Sequence, residues 1–167
     1  MYIVKKACDI IERILVIILG ILLTLMVIFI FSQVFARFVL NSPLSWTEEF
    51  SRHLMIWMVF LASAVAYRKG AHLKIDILEN QLGKKKRIIL DLVFLAMLII
   101  FLINMFYYGA FLVEKTYHQR SSAFGYPMSF IYASIPTSAI LMMIFSAEKI
   151  LELIVELLRK GGSSLAK

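Results

Sequence analysis

Residues 37–76 read RFVLNSPLSWTEEFSRHLMIWMVFLASAVAYRKGAHLKID, a loop, an apolar helix and a basic loop in one unit. The polar residues gather at the two ends of the helix, and its middle is Leu, Met, Ile, Trp, Val, Phe and Ala. Ser45-Trp46-Thr47-Glu48 fits a capping box: the Ser45 hydroxyl accepts from the Glu48 amide while the Glu48 carboxylate reaches back to the Ser45 amide, so a helix is predicted to start near Trp46. From Trp46 to Tyr67, about 22 residues at ~1.5 Å each give roughly 33 Å, enough to cross a bilayer. Glu48 and Glu49 precede Arg52 by one helical turn, where opposite charges pair on one face instead of meeting lipid singly. Two readings of this head stay open. It is a capped helix end at the membrane surface, or it is a docking site for another protein, since Trp46, Glu49, Arg52 and His53 form a cluster of interface-type residues.

Composition agrees with a membrane setting. The chain is 61% hydrophobic and 17% charged over 167 residues, with a mean hydropathy of +0.84, too apolar for a soluble domain. The formal charge of +7 would suggest nucleic acid in a soluble chain. Here the basic residues cluster between apolar runs, where anionic lipid headgroups account for them and no nucleic-acid partner is implied. The single cysteine, Cys8, leaves no internal disulfide and no multi-cysteine metal cluster.

Working outward, residues 14–36 form a first span, longer than the ~7–15 residues of a signal-peptide core. Before it, Ile3, Val4, Ala7, Ile10, Ile11 and Ile14 recur at helical spacing from Tyr2, predicting an amphipathic lead-in at the interface. Asn41-Ser42-Pro43 is a turn that makes the first two spans an antiparallel hairpin. Beyond the second span, residues 68–87 hold seven of the eighteen Lys and Arg residues. Within them 72–82 is expected to be a short amphipathic helix along the membrane surface, ended by Gly83. Residues 88–113 form a third span carrying Asp91 and, well inside, Asn104. The Asn104 amide is expected to bond a neighbouring helix, with a substrate role as the lesser alternative. The fourth span, 127–147, starts at Pro127 and contains Pro136 beside Ser134, Thr137 and Ser138, which predicts a kink whose freed carbonyl is met by a hydroxyl. Residues 148–160 continue as an amphipathic segment, and 161–167 are expected to be a flexible tail. The fold class is therefore an all-α integral membrane protein of four transmembrane helices with amphipathic interfacial helices, one domain over 1–160.

Fourteen basic residues fall on the side of the two ends and the middle connection, against Arg37, Arg52, Lys115 and Arg120 on the other. Both termini are expected in the cytoplasm. His53, His72 and His118 lie near span ends or in connections, so no span offers a haem-ligating pair. The sequence has no HExxH, GxSxG or phosphate-cradling glycine loop, and no catalytic set or cofactor site is assigned. Transport needs polar groups at the midplane, usually on broken helices related by repeats. Four spans with one mid-membrane Asn and one Pro kink supply little of that, which favours a chain supporting a partner that does the work.

The order of residues over about forty positions resembles the small membrane subunit of tripartite ATP-independent periplasmic (TRAP) transporters, the DctQ or SiaQ type. The matching positions are Arg37, Ser42, Pro43, Trp46, Glu48, Glu49, Arg52, Arg68, Gly70, His72 and Asp76. The resemblance implies a helical scaffold in the bacterial inner membrane that binds a large solute-carrying membrane subunit. A periplasmic solute-binding protein would deliver an organic acid, sialic acid ahead of C4-dicarboxylates, and sodium would drive uptake. It places the partner interface at Arg37, Trp46, Glu48, Glu49, Arg52, Arg68, His72 and Asp76, and leaves sodium and substrate sites to the large subunit. Two rival classes are a membrane anchor of a redox enzyme, which needs cofactor ligands, and a stand-alone small transporter, which needs function without a partner.

Overall fold

The computed structural model describes residues 2–42, 45–70 and 84–164. They form five helices: α1 (Tyr2–Phe38), α2 (Ser45–Arg68), α3 (Lys84–Lys115), α4 (Ser129–Tyr132) and α5 (Ser134–Ser164). Four stretches are long and apolar enough to cross a membrane: Val4–Phe38, Trp46–Arg68, Leu92–Lys115 and Ser129–Leu153. Four predicted spans are thus present, in an all-α fold. The surface helix expected over 72–82 lies outside the described residues.

The helices end where backbone chemistry dictates. Asn41, one of the few residue types that tolerates the left-handed region, takes φ 46° there, and the Ser42 amide donates to the Ala36 carbonyl at 3.2 Å. Gly70 stops α2 in the same way, with φ 76° and its amide donating to the Tyr67 carbonyl at 3.0 Å. The fourth span breaks at Ala133, between α4 and α5, one turn before Pro136, because the proline removes the amide that would bond the Tyr132 carbonyl. Hydroxyls do gather at the break, on the carbonyls around Tyr132. Ser134 donates to Ile131 at 2.8 Å, Thr137 to Ala133 at 2.7 Å and Ser138 to Ile135 at 2.9 Å. Pro127 sits outside the helix, bridged to Arg120 in the loop, and the span starts at Ser129.

Two expectations change at the ends. The lead-in from Tyr2 is not a separate surface segment; it belongs to the same unbroken helix as the first span, 37 residues or about 55 Å. Its acidic residues have partners at the end of α2, described below, and these hold it upright against the neighbouring helices. At the other terminus α5 carries through Gly161 and Gly162 to Ser164, a helix extension that glycine weakens by about 1 kcal/mol each without forbidding it.

Packing runs in the order α1, α2, α5, α3, with a smaller contact of α1 on α5. Cys8 and Leu15 from α1, Leu61, Ala64, Val65 and Tyr67 from α2 and Phe145 from α5 form the central cluster. On α3, Leu95, Leu102 and Gly109 are buried at helical spacing. Gly109 lies directly against the helix break: an added Cβ would stand 2.9 Å from Ile135 Cγ2 and 3.1 Å from Pro136 Cδ. A small residue here lets two backbones approach closely, the usual device of membrane helix packing.

Candidate docking site at the two ends of the second helix

The head of α2 is wrapped by rings from three elements. Phe29 of α1 meets Trp46 at 6.0 Å and Phe50 at 5.0 Å between centroids, both edge-on. Phe124, in the loop between α3 and α4, meets the same two rings at 5.8 and 5.9 Å. Edge-to-face contacts of this kind add about 0.5–1.5 kcal/mol each beyond area burial. Phe124 reaches this position because Gly125, with φ 68°, turns the loop so tightly that the Gly125 amide donates to the Ser121 carbonyl at 3.0 Å.

Beside the rings, Glu49 fastens that loop to α2. It accepts from the Ser121 hydroxyl at 2.6 Å and from the Ala123 amide at 2.9 Å. His53, one turn on, hydrogen-bonds the Tyr126 hydroxyl through Nδ1, and its Nε2 stands 3.9 Å from Glu49. Burial first, and then the negative charge of Glu49, hold the Tyr126 hydroxyl above its ordinary range. It stays protonated at neutral pH and can donate to Nδ1, leaving the Nε2 proton facing Glu49. Glu48, on the outer face, instead accepts from Arg52 at 3.1 Å and from Gln33 of α1 at 3.3 Å.

At the other end, Arg68 gathers three carboxylates from two further helices. Its side chain is 10% exposed and reaches Asp9 at 2.6 Å, Glu12 and Glu148 through both Nε at 3.0 Å and Nη2 at 3.2 Å. The guanidinium also lies 5.4 Å from the centroid of the Phe145 ring. The planar fork of arginine suits this arrangement, since it offers several donors in fixed directions to separate oxygens. Lys69 adds a contact to Glu12 at 3.7 Å, and just inside, the Tyr67 hydroxyl donates to the Ser146 hydroxyl at 2.9 Å, whose own proton goes to the Met142 carbonyl at 2.8 Å.

The eight residues assigned to a partner interface therefore divide. Trp46, Glu48, Glu49 and Arg52 come together at the head of α2, and Arg37 stands exposed on the last turn of α1, its guanidinium 5.9 Å from the Phe38 ring. Arg68 stands at the opposite end of α2, 16 residues beyond Arg52 and 22 beyond Trp46, or about 24–33 Å. His72 and Asp76 lie outside the described residues. The expected charge pairing is met by Glu48 and Arg52 alone, for Glu49 turns to the loop. The Glu48 carboxylate faces Gln33 and Arg52, and Ser45 is already the first residue of α2. Ser121, Phe124 and Tyr126, and at the far end Asp9, Glu12 and Glu148, complete the two sites. Only the i, i+3 spacing of Asp9 and Glu12 hinted at a common target.

This division separates two substitutions. Arg52→Ala removes an ion pair whose side chains are 66% and 60% exposed, so thermal unfolding should shift by no more than about 0–1 kcal/mol. Glu49→Gln leaves Ser121 and Ala123 competing for a weaker acceptor, and exchange of the Ala123 amide should quicken about tenfold. Unchanged exchange would show that the loop is held by its own turn and the rings.

The family described as tripartite ATP-independent periplasmic transporters, DctQ component, matches residues 26–156. The sialic acid TRAP transporter small permease protein SiaQ of Vibrio cholerae serotype O1 is 29% identical over 138 residues, 79% of this chain and 76% of that one. The sialic acid TRAP transporter permease protein SiaT of Haemophilus influenzae strain 86-028NP is 32% identical over 113 residues, 67% of this chain and 18% of that one. The C4-dicarboxylate TRAP transporter small permease protein DctQ of Rhodobacter capsulatus is 33% identical over 101 residues, 59% of this chain and 44% of that one.

Proposed function

Since the chain belongs to the DctQ component family of TRAP transporters, we propose that it is the small permease subunit of a sodium-coupled uptake system and acts as a scaffold for the large solute-carrying subunit. The observation that carries this reading is the family match over residues 26–156, which reaches from the middle of α1 into the later turns of α5. The substrate class is an organic acid, sialic acid or a C4-dicarboxylate, after the names of the relatives. The chain is not an enzyme in this reading, and its one four-helix domain over 1–160 sits in the bacterial inner membrane.

The geometry supports a scaffold. The Arg68 ion pairs, at one end of α2, brace it against α1 and α5, and the two outer helices keep long faces open. Arg37, Trp46, Glu48 and Arg52 supply exposed polar and aromatic surface at one end, suited to a periplasmic solute-binding protein arriving there. Glu49 and Arg68 act behind them as braces. The basic excess on the side of Lys84 and both termini puts that side in the cytoplasm.

A tagged copy co-expressed with the large membrane subunit of its transporter should draw that subunit out of detergent extract as a stable complex. A cysteine at Lys85 should resist membrane-impermeant labelling in intact cells, whereas one at Arg120 should react. Recovery of the tagged chain without the large subunit would remove the scaffold reading, and labelling at position 85 would invert the orientation.

A further inference from the structure

The two edges of the helix row differ in chemistry. The outward face of α1 carries Ile14, Ile17, Ile21, Ile28, Phe31 and Phe35, all exposed, and its Thr24 hydroxyl is turned back onto the Gly20 carbonyl at 2.8 Å. Acyl chains satisfy such a surface. The outward face of α3 is Met97, Phe101, Asn104, Tyr108 and Phe111, five exposed residues at alternating steps of four and three. Both faces have the spacing of a seam against one further helix, so what sets the α3 face apart is its polar residue, Asn104. Asn104 stands at the middle of the 24-residue span Leu92–Lys115. Its amide donates once, to the Ile100 carbonyl of its own helix at 2.8 Å, so the expected bond to a neighbouring helix of this chain is not made. Among the described residues, nothing takes its second N–H or its carbonyl oxygen. Lipid offers no partner for either at that depth.

Resting on the proposed function, we infer that the Met97–Phe111 face of α3 is the edge that docks the large permease subunit. Its occupant is one transmembrane helix of that subunit presenting a hydrogen-bonding group to Asn104 at the bilayer midplane. An amide at the centre of such a seam fixes the register of the helix it meets. The large subunit is the occupant favoured over a second copy because of the SiaT relative. There the 113 matched residues make only 18% of one permease polypeptide, so a unit of this kind is tethered beside a much longer partner at high effective concentration.

The test places a photo-crosslinking phenylalanine analogue at Phe101 or Tyr108 on α3, and at Phe31 or Phe35 on α1, in the chain co-expressed with its large subunit. Irradiation should give an adduct with the large subunit from the α3 positions and none from α1. Asn104→Leu, which loses only a bond within its own helix, should leave the isolated chain's thermal unfolding unchanged and weaken the complex roughly 3- to 20-fold. Adducts with the large subunit from α1 alone would overturn the face and leave the scaffold reading standing. Adducts joining two copies of this chain from α3 would overturn the choice of occupant. Failure of the two subunits to purify together would overturn both.

Discussion

Arg68→Met is expected to cost about 3–5 kcal/mol of folding stability, a large part of the roughly 5–15 kcal/mol that holds a domain together. The substitution keeps length and apolar bulk, so the packing on Phe145 survives in part. What it removes is, among the described residues, the one cation that reaches Asp9, Glu12 and Glu148 together. Glu148 is 12% exposed and Glu12 23%, so Glu148 would be left desolvated beside like charges, and Glu12 with only the exposed Lys69 at 3.7 Å. That uncompensated state, and not the lost attraction alone, sets the magnitude. Arg68→Lys should fall between, because an ammonium keeps the charge and loses the fork that serves three acids at once. Neutralising the acids as well, with Asp9→Asn, Glu12→Gln and Glu148→Gln in the Arg68→Met background, should recover much of the loss. Thermal unfolding in detergent or nanodiscs reads all three variants. A loss under about 0.5 kcal/mol for Arg68→Met would mean that water, and not arginine, satisfies the carboxylates.

The partners of Arg68 also mark the limit of what the sequence shows. The four spans were legible because an apolar run long enough to cross a bilayer is a one-dimensional property, and the break before Pro136 was legible because proline removes an amide wherever it stands. Which side chain meets which is different, for it depends on how whole helices are rotated against each other. Arg68 and Glu148 are 80 residues apart, and Glu49 and Ser121 are 72. Local spacing offered Glu49 an arginine three residues away, and the fold gave it a hydroxyl and an amide from a distant loop instead. The same rotation turned Asn104 outward, where a neighbouring helix of the chain had been expected. The lead-in was read as a surface helix because its charges alternate with apolar residues. Their partners at the end of α2, Arg68 and Lys69, were invisible until that helix had a position.

Omission of this chain from an otherwise complete transporter should reduce solute uptake to the rate of empty vesicles. The chain by itself, reconstituted in liposomes, should fold and carry nothing. Arg68 is occupied by three acids, Glu49 by the α3–α4 loop, and the hydroxyls around Pro136 by nearby carbonyls. A carrier must instead hold polar groups open at the midplane, commonly on broken helices, so that a carboxylate or a sodium ion can enter and leave. The midplane amide of α3 faces out of the row, toward a neighbour. A large solute-carrying subunit gains from such a chain if it needs a wide fixed frame in the bilayer, and then loss of the frame stops transport although every solute ligand remains. The measurement is uptake of labelled sialic acid or C4-dicarboxylate into proteoliposomes under a sodium gradient, with the loaded binding protein outside. Flux through the isolated chain would establish it as a small carrier. Undiminished uptake in its absence would show that the large subunit needs no frame of this kind.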